Sequence, residues 1–159
     1  MFTPQIRTIR GDNQEEVLWV AVRMRRTLME VLGDEEGESL YSLDWLERRV
    51  RYHLDPDQCK GQIFISVRAD GQRQGYTIVR REEPALGLFS TTYVEQEWRR
   101  QGVAQALLER GEEWMRELGL TRAVSYTAAD NQKLHRLYLN RGYQLVPGER
   151  GFVKLVREL

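Results

Sequence analysis

Apolar residues recur at Val17, Leu18, Ala21, Val22, Leu28, Val31 and Leu32, near the spacing of one helix face, and predict a helix over about residues 12–32. The segment Gly33-Asp34-Glu35-Glu36-Gly37-Glu38-Ser39 breaks that pattern with glycine and acid. Leu43, Leu46, Val50 and Leu54 mark a second helix, closed by Asp55-Pro56-Asp57. Residues 5–10 form a short strand candidate ahead of both. Residues 61–94 read as three strands separated by turns at 69–75 and 81–85. A third helix starts near Gly102, with Val103, Leu107, Trp114 and Leu118 spaced for burial. Residues 120–129 read as a strand, and 130–141 as a helix with Gly142 at its C-cap. Residues 143–146 and 151–159 close the chain as a strand pair. The order β-α-α-β-β-β-α-β-α-β-β predicts an α/β (α+β) fold: a mixed central sheet of about seven strands with four helices on its faces.

At 159 residues the chain is expected to form a single domain over 1–159. Lys+Arg and Asp+Glu both number 24, so a net charge of zero makes no general case for nucleic acid or a membrane as partner. Cys59 is alone, which excludes an internal disulfide and fits an inert thiol in a reducing, cytoplasmic setting. The N-terminus carries no apolar signal region, and the run Val17–Val22 ends at Arg23, far too short to cross a bilayer. His53 and His135 are too distant in sequence to argue a site, and no cluster with metal-ligand spacing occurs, so no metal is expected.

The start of the third helix changes the picture. It reads Arg99-Arg100-Gln101-Gly102-Val103-Ala104, with two cations and no Ser, Thr, Asp or Asn to accept the first free N–H groups. An anion can take the place of that cap, because a helix N-terminus presents unpaired N–H groups and partial positive charge. Gly102 and Ala104 let a diphosphate approach the backbone. About thirty residues on, Asn131, His135 and Tyr138 fall within about 60° of one another on a helix. Leu134 and Leu137 lie beside that stripe and can pack on a sheet.

On these residues the chain resembles the GNAT superfamily of acyl-CoA-dependent N-acyltransferases. Val94 followed by Arg99, Gly102 and Ala104 matches the family's strand-end valine and R/Q-x-x-G-x-G/A. Asn131, Leu137, Tyr138, Gly142 and Tyr143 match its later N-x-x-A-x-x-L-Y-x-x-x-G-F, with Leu134 in place of the alanine. The resemblance implies acetyl-CoA in a splay between strands 4 and 5. The backbone of Gln101, Gly102, Val103, Ala104 and Gln105 would hold the pyrophosphate, with Arg99 and Arg100 adding charge. Backbone at Tyr93 and Val94 would meet the pantetheine arm, and Asn131 would bond it from the other side. Catalysis would be direct attack by a primary amine, with the Val94 N–H as oxyanion donor and Tyr138 as general acid.

The general base is the gap in the resemblance. Many relatives carry Glu or His on the fourth strand; here the inward candidates are Leu88, Ser90 and Thr92. Glu82 or Glu83 in the turn, His135, or a water chain held by Ser90 and Thr92 are the substitutes. Relatives that acetylate ribosomal-protein N-termini usually carry a glutamate near the place of Tyr126, which makes such N-termini a less favoured acceptor. Asp34, Glu35, Glu36 and Glu38 suggest a polycationic amine. Arg23, Arg25, Arg26, Arg48, Arg49 and Arg51 read as solvated helix faces. A non-catalytic acyl-CoA-binding module and an RNA-directed acetyltransferase stay open as alternatives, as does a homodimer.

Overall fold

Seven strands form one sheet in the order β1-β2-β3-β4-β5-β7-β6. In chain order the elements are β1 (Gln5–Thr8), α1 (Gln14–Leu32), α2 (Leu43–Leu54), β2 (Gly61–Val67), β3 (Arg73–Glu83), β4 (Leu86–Val94), a 3-10 turn (Gln96–Trp98), α3 (Val103–Glu117), β5 (Arg122–Ala128), α4 (Gln132–Leu139), β6 (Gln144–Pro147) and β7 (Phe152–Glu158). This computed structural model describes residues 4–32 and 41–159, excluding the side chains of 30–32. The acids at 34, 35, 36 and 38 therefore lie outside the described residues. Among those described, no helix is long and apolar enough to cross a membrane.

The helices cover opposite faces of the sheet. α1 and α2 bury Val17, Val20, Ala21, Met24, Leu46 and Val50 against Ile63, Ile65, Tyr76 and Ile78. α3 and α4 bury Val103, Leu107, Leu108, Met115 and Tyr138 against Phe64, Val79 and Phe89. Two expected core positions of α1 differ: Leu18 is 36% exposed and Val22 half-buried, because Val20 and Met24 complete the i, i+3, i+4, i+7 stripe. On α3, Trp114 and Leu118 pack only at the edge, while Leu108 and Met115 are fully enclosed.

The sheet opens in the middle. β4 and β5 run parallel but pair only at Leu86↔Arg122, Gly87↔Ala123 and Leu88↔Val124. Beyond Leu88 the two strands part, leaving the second half of β4 and of β5 facing each other across a gap. A bulge shapes the β4 side: Ile78 pairs with Thr91 and Val79 with Phe89, so Ser90 has no partner. The bulge breaks simple alternation. Leu88, Ser90 and Thr92 therefore do not form one inward row, and Leu88 and Phe89 are both buried. Glu82 and Glu83 belong to β3 rather than to a turn, with Glu83 opposite Leu86. That is the far end of β4 from Val94, about 26 Å at strand rise, which removes both as bases at Val94.

Two buried carboxylates tie elements together. Glu16 on α1 receives Arg7 from β1 at 2.6 Å and Arg73 from β3 at 3.1 Å. Glu112 on α3 accepts from Arg141, from the Tyr143 hydroxyl at 2.7 Å and from Arg157 of β7 at 3.0 Å. Burial opposes the Glu112 charge, yet these donors hold its carboxyl below the usual range.

Candidate active site

Three helices start on a side-chain cap. Asn13 accepts from Glu16 N–H at 3.1 Å, Ser42 from Trp45 N–H at 3.1 Å, and Asn131 from Leu134 N–H at 3.3 Å. α3 has none: its N-cap is Gly102, and no side chain bonds the first turn. The first intrahelical bond runs from Ala106 N–H to the Gly102 carbonyl, so the N–H groups of Val103, Ala104 and Gln105 are orphans of the helix start. Gly102 and Arg100 are both left-handed, at φ 83° and 64°. Left-handed residues in such close succession turn backbone N–H groups into an anion-binding concavity. A pocket of about 320 Å³ opens there, lined by Val94, Arg99, Arg100, Gly102, Ala104 and Gln105 among others. A Cβ at Gly102 would meet nothing within 4 Å, so the pocket face is open rather than filled by protein.

Strand pairing decides which peptide groups face the gap. Glu95 N–H bonds the Gln74 carbonyl at 2.8 Å, in the same register that sets Gly75 opposite Val94. Alternation then turns the peptide groups of Val94 and Thr92 away from β3 and into the splay. The Val94 carbonyl accepts from Arg99 Nε at 2.9 Å, which braces the turn into α3, and the Arg99 guanidinium carbon lies 5.7 Å from the centre of the Tyr93 ring. Tyr93 differs from the sequence expectation. Its carbonyl is directed at β3, only 2.4 Å from where a Cβ on Gly75 would stand, so a glycine is required at 75. Thr92, not Tyr93, presents its backbone beside Val94. The Tyr93 ring lies on the other face, stacked on Tyr76 at 6.0 Å.

The polar stripe of α4 divides by role. Asn131 spends its carbonyl on the helix cap, leaving its amide N–H₂ as donor at the gap. His135 is buried and its Nε2–H donates to the Ala128 carbonyl at 2.9 Å, and it does not line the cleft. That geometry withdraws it as a base. Tyr138 lies between Phe89 and Tyr143, at ring distances of 6.1 and 4.9 Å. Burial pushes its hydroxyl up to about 12, partly offset by Ser125 and Thr92 beside it.

The gap itself is a cleft of about 440 Å³ between α1, α2, β4 and β5. Its described lining includes Ser90, Thr92, Thr127, Asn131 and Tyr138, and it holds no Asp, Glu or His. The Thr127 hydroxyl is buried there without a partner. Sequence reasoning did not reach Thr127, nor the aromatic residues Tyr41, Trp45 and Phe152 that share the cleft. They come from separate elements, and no local pattern joins them.

An open sheet splayed between two parallel strands, with an uncapped helix start beside the gap, is the fold of an acyltransferase. Residues 24–143 match the acetyltransferase (GNAT) family, and the chain belongs to that family of acyltransferases. The aminoglycoside N(6')-acetyltransferase type 1 of Stenotrophomonas maltophilia is 26% identical over 93 residues, covering 54% of this chain and 61% of that protein. The PaiA N-acetyltransferase of Thermoplasma acidophilum, solved with coenzyme A, superposes with a TM-score of 0.78 at 13% identity over 99% of this chain and all of that one. An acetyltransferase from Streptococcus agalactiae superposes with a TM-score of 0.73 at 18% identity, with both chains fully covered.

Proposed function

We propose that residues 1–159 act as one N-acetyltransferase domain that moves an acetyl group from acetyl-CoA to a primary amine by direct attack. The observation that carries this reading is the α3 start: the helix lacks a side-chain cap and opens, through Gly102, on a pocket beside the splay. The pyrophosphate would rest on the backbone from Gln101 to Gln105 with Arg99 and Arg100 around it. Thr92 and Val94 would offer peptide groups to the pantetheine arm, and Asn131 its amide from across the gap. The solved neighbour holding coenzyme A supports the same cosubstrate.

The amine nitrogen forms the new C–N bond and the C–S bond breaks. The Val94 N–H meets the charge that develops on the carbonyl oxygen. Tyr138, held protonated by burial, gives its proton to the leaving sulfur and regains one from solvent. The cleft lining supplies only hydroxyls where a base would stand, so a neutral amine attacks and water held by Ser90, Thr92 and Thr127 carries away the proton that its nitrogen sheds on becoming an amide. The aminoglycoside relative favours a polycationic acceptor as a second form of the reading.

Titration calorimetry with acetyl-CoA and radiolabel transfer to a panel of amines, proteins and tRNA test the proposal. Micromolar binding, on the order of −8 kcal/mol, and label on an amine are expected. Binding without transfer to anything would leave a carrier module in its place. Label on tRNA would redirect it to RNA.

A further inference from the structure

The acceptor side of the cleft has a chemistry of its own. Among the described residues, the exposed large hydrophobic side chains include three aromatics: Trp45 at 41%, Tyr126 at 49% and Phe152 at 50%. All three line the same cleft. Tyr41 joins them, its ring 5.2 Å from that of Trp45. Aromatic surface left open to water on one concave wall marks a place for a flat apolar ligand.

Charge on that wall is one-sided. Arg49 is the single charged residue of the described lining. Its guanidinium stacks 4.5 Å over the Tyr52 ring, and no ion pair with a described carboxylate engages it. Arg23, by contrast, is paired with Glu95 at 2.6 Å. Lys154 stands outside that lining, 5.8 Å over the Tyr126 ring. Arg49 stands four residues from Trp45 on α2, about 6 Å along the helix and on the same side. That offset suits a ligand whose carboxylate is a few ångströms from an aromatic ring.

We infer that the acceptor is an aromatic α-amino acid, its ring against Trp45, Tyr41, Tyr126 and Phe152, its carboxylate on Arg49 and its amine toward Val94. This rests on the acetyl-transfer reading above and replaces the polycationic acceptor with an anionic, aromatic one. The planar guanidinium would bind the carboxylate through two parallel N–H donors. The apolar wall would hold the ring by area alone, so it would tolerate different ring sizes.

The test compares kcat/KM for phenylalanine, 2-phenylethylamine and spermidine by thiol release from acetyl-CoA, in the wild type, Arg49→Gln and Trp45→Ala. Phenylalanine should be the best of the three. Arg49→Gln should cut its kcat/KM by about 10- to 100-fold and leave 2-phenylethylamine nearly unchanged. Trp45→Ala should raise KM for both phenyl amines together. A preference for spermidine, an equal Arg49→Gln loss for both phenyl amines, or no turnover of any of the three by a protein that binds acetyl-CoA would overturn the acceptor assignment. So would a dimer, seen by sedimentation, that Trp45→Ala dissociates. Failure to bind acetyl-CoA at all overturns the transfer reading instead, which keeps the two failures apart.

Discussion

Tyr138 and His53 are both buried, and burial moves their protons in opposite directions. A phenol loses a proton to become charged, so burial raises Tyr138 to about 12. It stays protonated through every ordinary assay pH. Tyr138→Phe should lower kcat by roughly 10²–10⁴-fold while acetyl-CoA affinity changes by less than about threefold. The wild-type rate should climb as the acceptor ammonium is deprotonated and show no falling limb near pH 10; such a limb would assign the acid to another group. An imidazole gains a proton to become charged, so burial lowers His53 to about 4. Its Nδ1–H donates to the Arg49 carbonyl at 2.9 Å, and its Nε2 accepts from Arg80 at 3.0 Å, so the neutral ring is fully bonded. The unfolded chain binds the proton first, near pH 6.5. Stability is therefore complete above that pH and falls as pH drops toward 4. Between pH 7 and 5 the loss should be about 1–2 kcal/mol by urea unfolding, and His53→Gln should flatten it. Glu16 and Glu112 have lowered values, so their contribution starts to fall only at the ordinary carboxylate range and continues below it, toward the acid end of the His53 window.

α3 has a proposed binding end and an anchoring middle, and the two should fail differently. At Gly102 a side chain has room but the backbone is left-handed, so Gly102→Glu should cost only about 1 kcal/mol of stability. Its carboxylate would stand where the diphosphate approaches, and acetyl-CoA binding should vanish by calorimetry. Unchanged affinity would detach the helix start from the cosubstrate. Glu112→Ala removes the partner of two guanidiniums and a phenol. Breaking a buried ion pair from one side costs about 3–5 kcal/mol, so its urea midpoint should fall well below that of Gly102→Glu. Tyr143 packs on Tyr138, so activity should drop with it even at temperatures where the variant stays folded.

Across the whole molecule, the β1–β4 part of the sheet meets β5–β7 at only three paired positions. A ligand lying in the splay would bridge them through Val94 and Thr92 on one side and Asn131 on the other. Acetyl-CoA at a hundred times its Kd should add about 2.7 kcal/mol of stability, or roughly 5–10 °C in Tm. Hydrogen exchange should slow most at the ends of β4 and β5 that face the gap. A thermal shift that survives in Gly102→Glu, or protection spread evenly over the sheet, would mean that binding happens elsewhere.

The order of elements and the unusual start of α3 were legible in the sequence, because both are written in neighbouring residues. Apolar spacing follows helix or strand period, and a missing cap is visible within Arg99–Ala104. The position of Tyr138 on one helical stripe with Asn131 was legible for the same reason. Other features depend on strands that pair across long stretches of chain. The Ser90 bulge, which undid the row of Leu88, Ser90 and Thr92, exists only in the register of β4 against β3. That register also gave Thr92, and not Tyr93, its backbone facing the splay. His135 kept its helical position, but tertiary packing spent its Nε2–H on the Ala128 carbonyl. Glu112 looks like any surface acid of α3 until Arg141, Tyr143 and Arg157 close over it. The aromatic wall is assembled from α2, β5, β7 and Tyr41, which share no spacing. Sequence determines what each segment can be, since local periodicity sets its buried face; the tertiary structure decides which groups remain free to act, since that depends on what every other segment has already bonded.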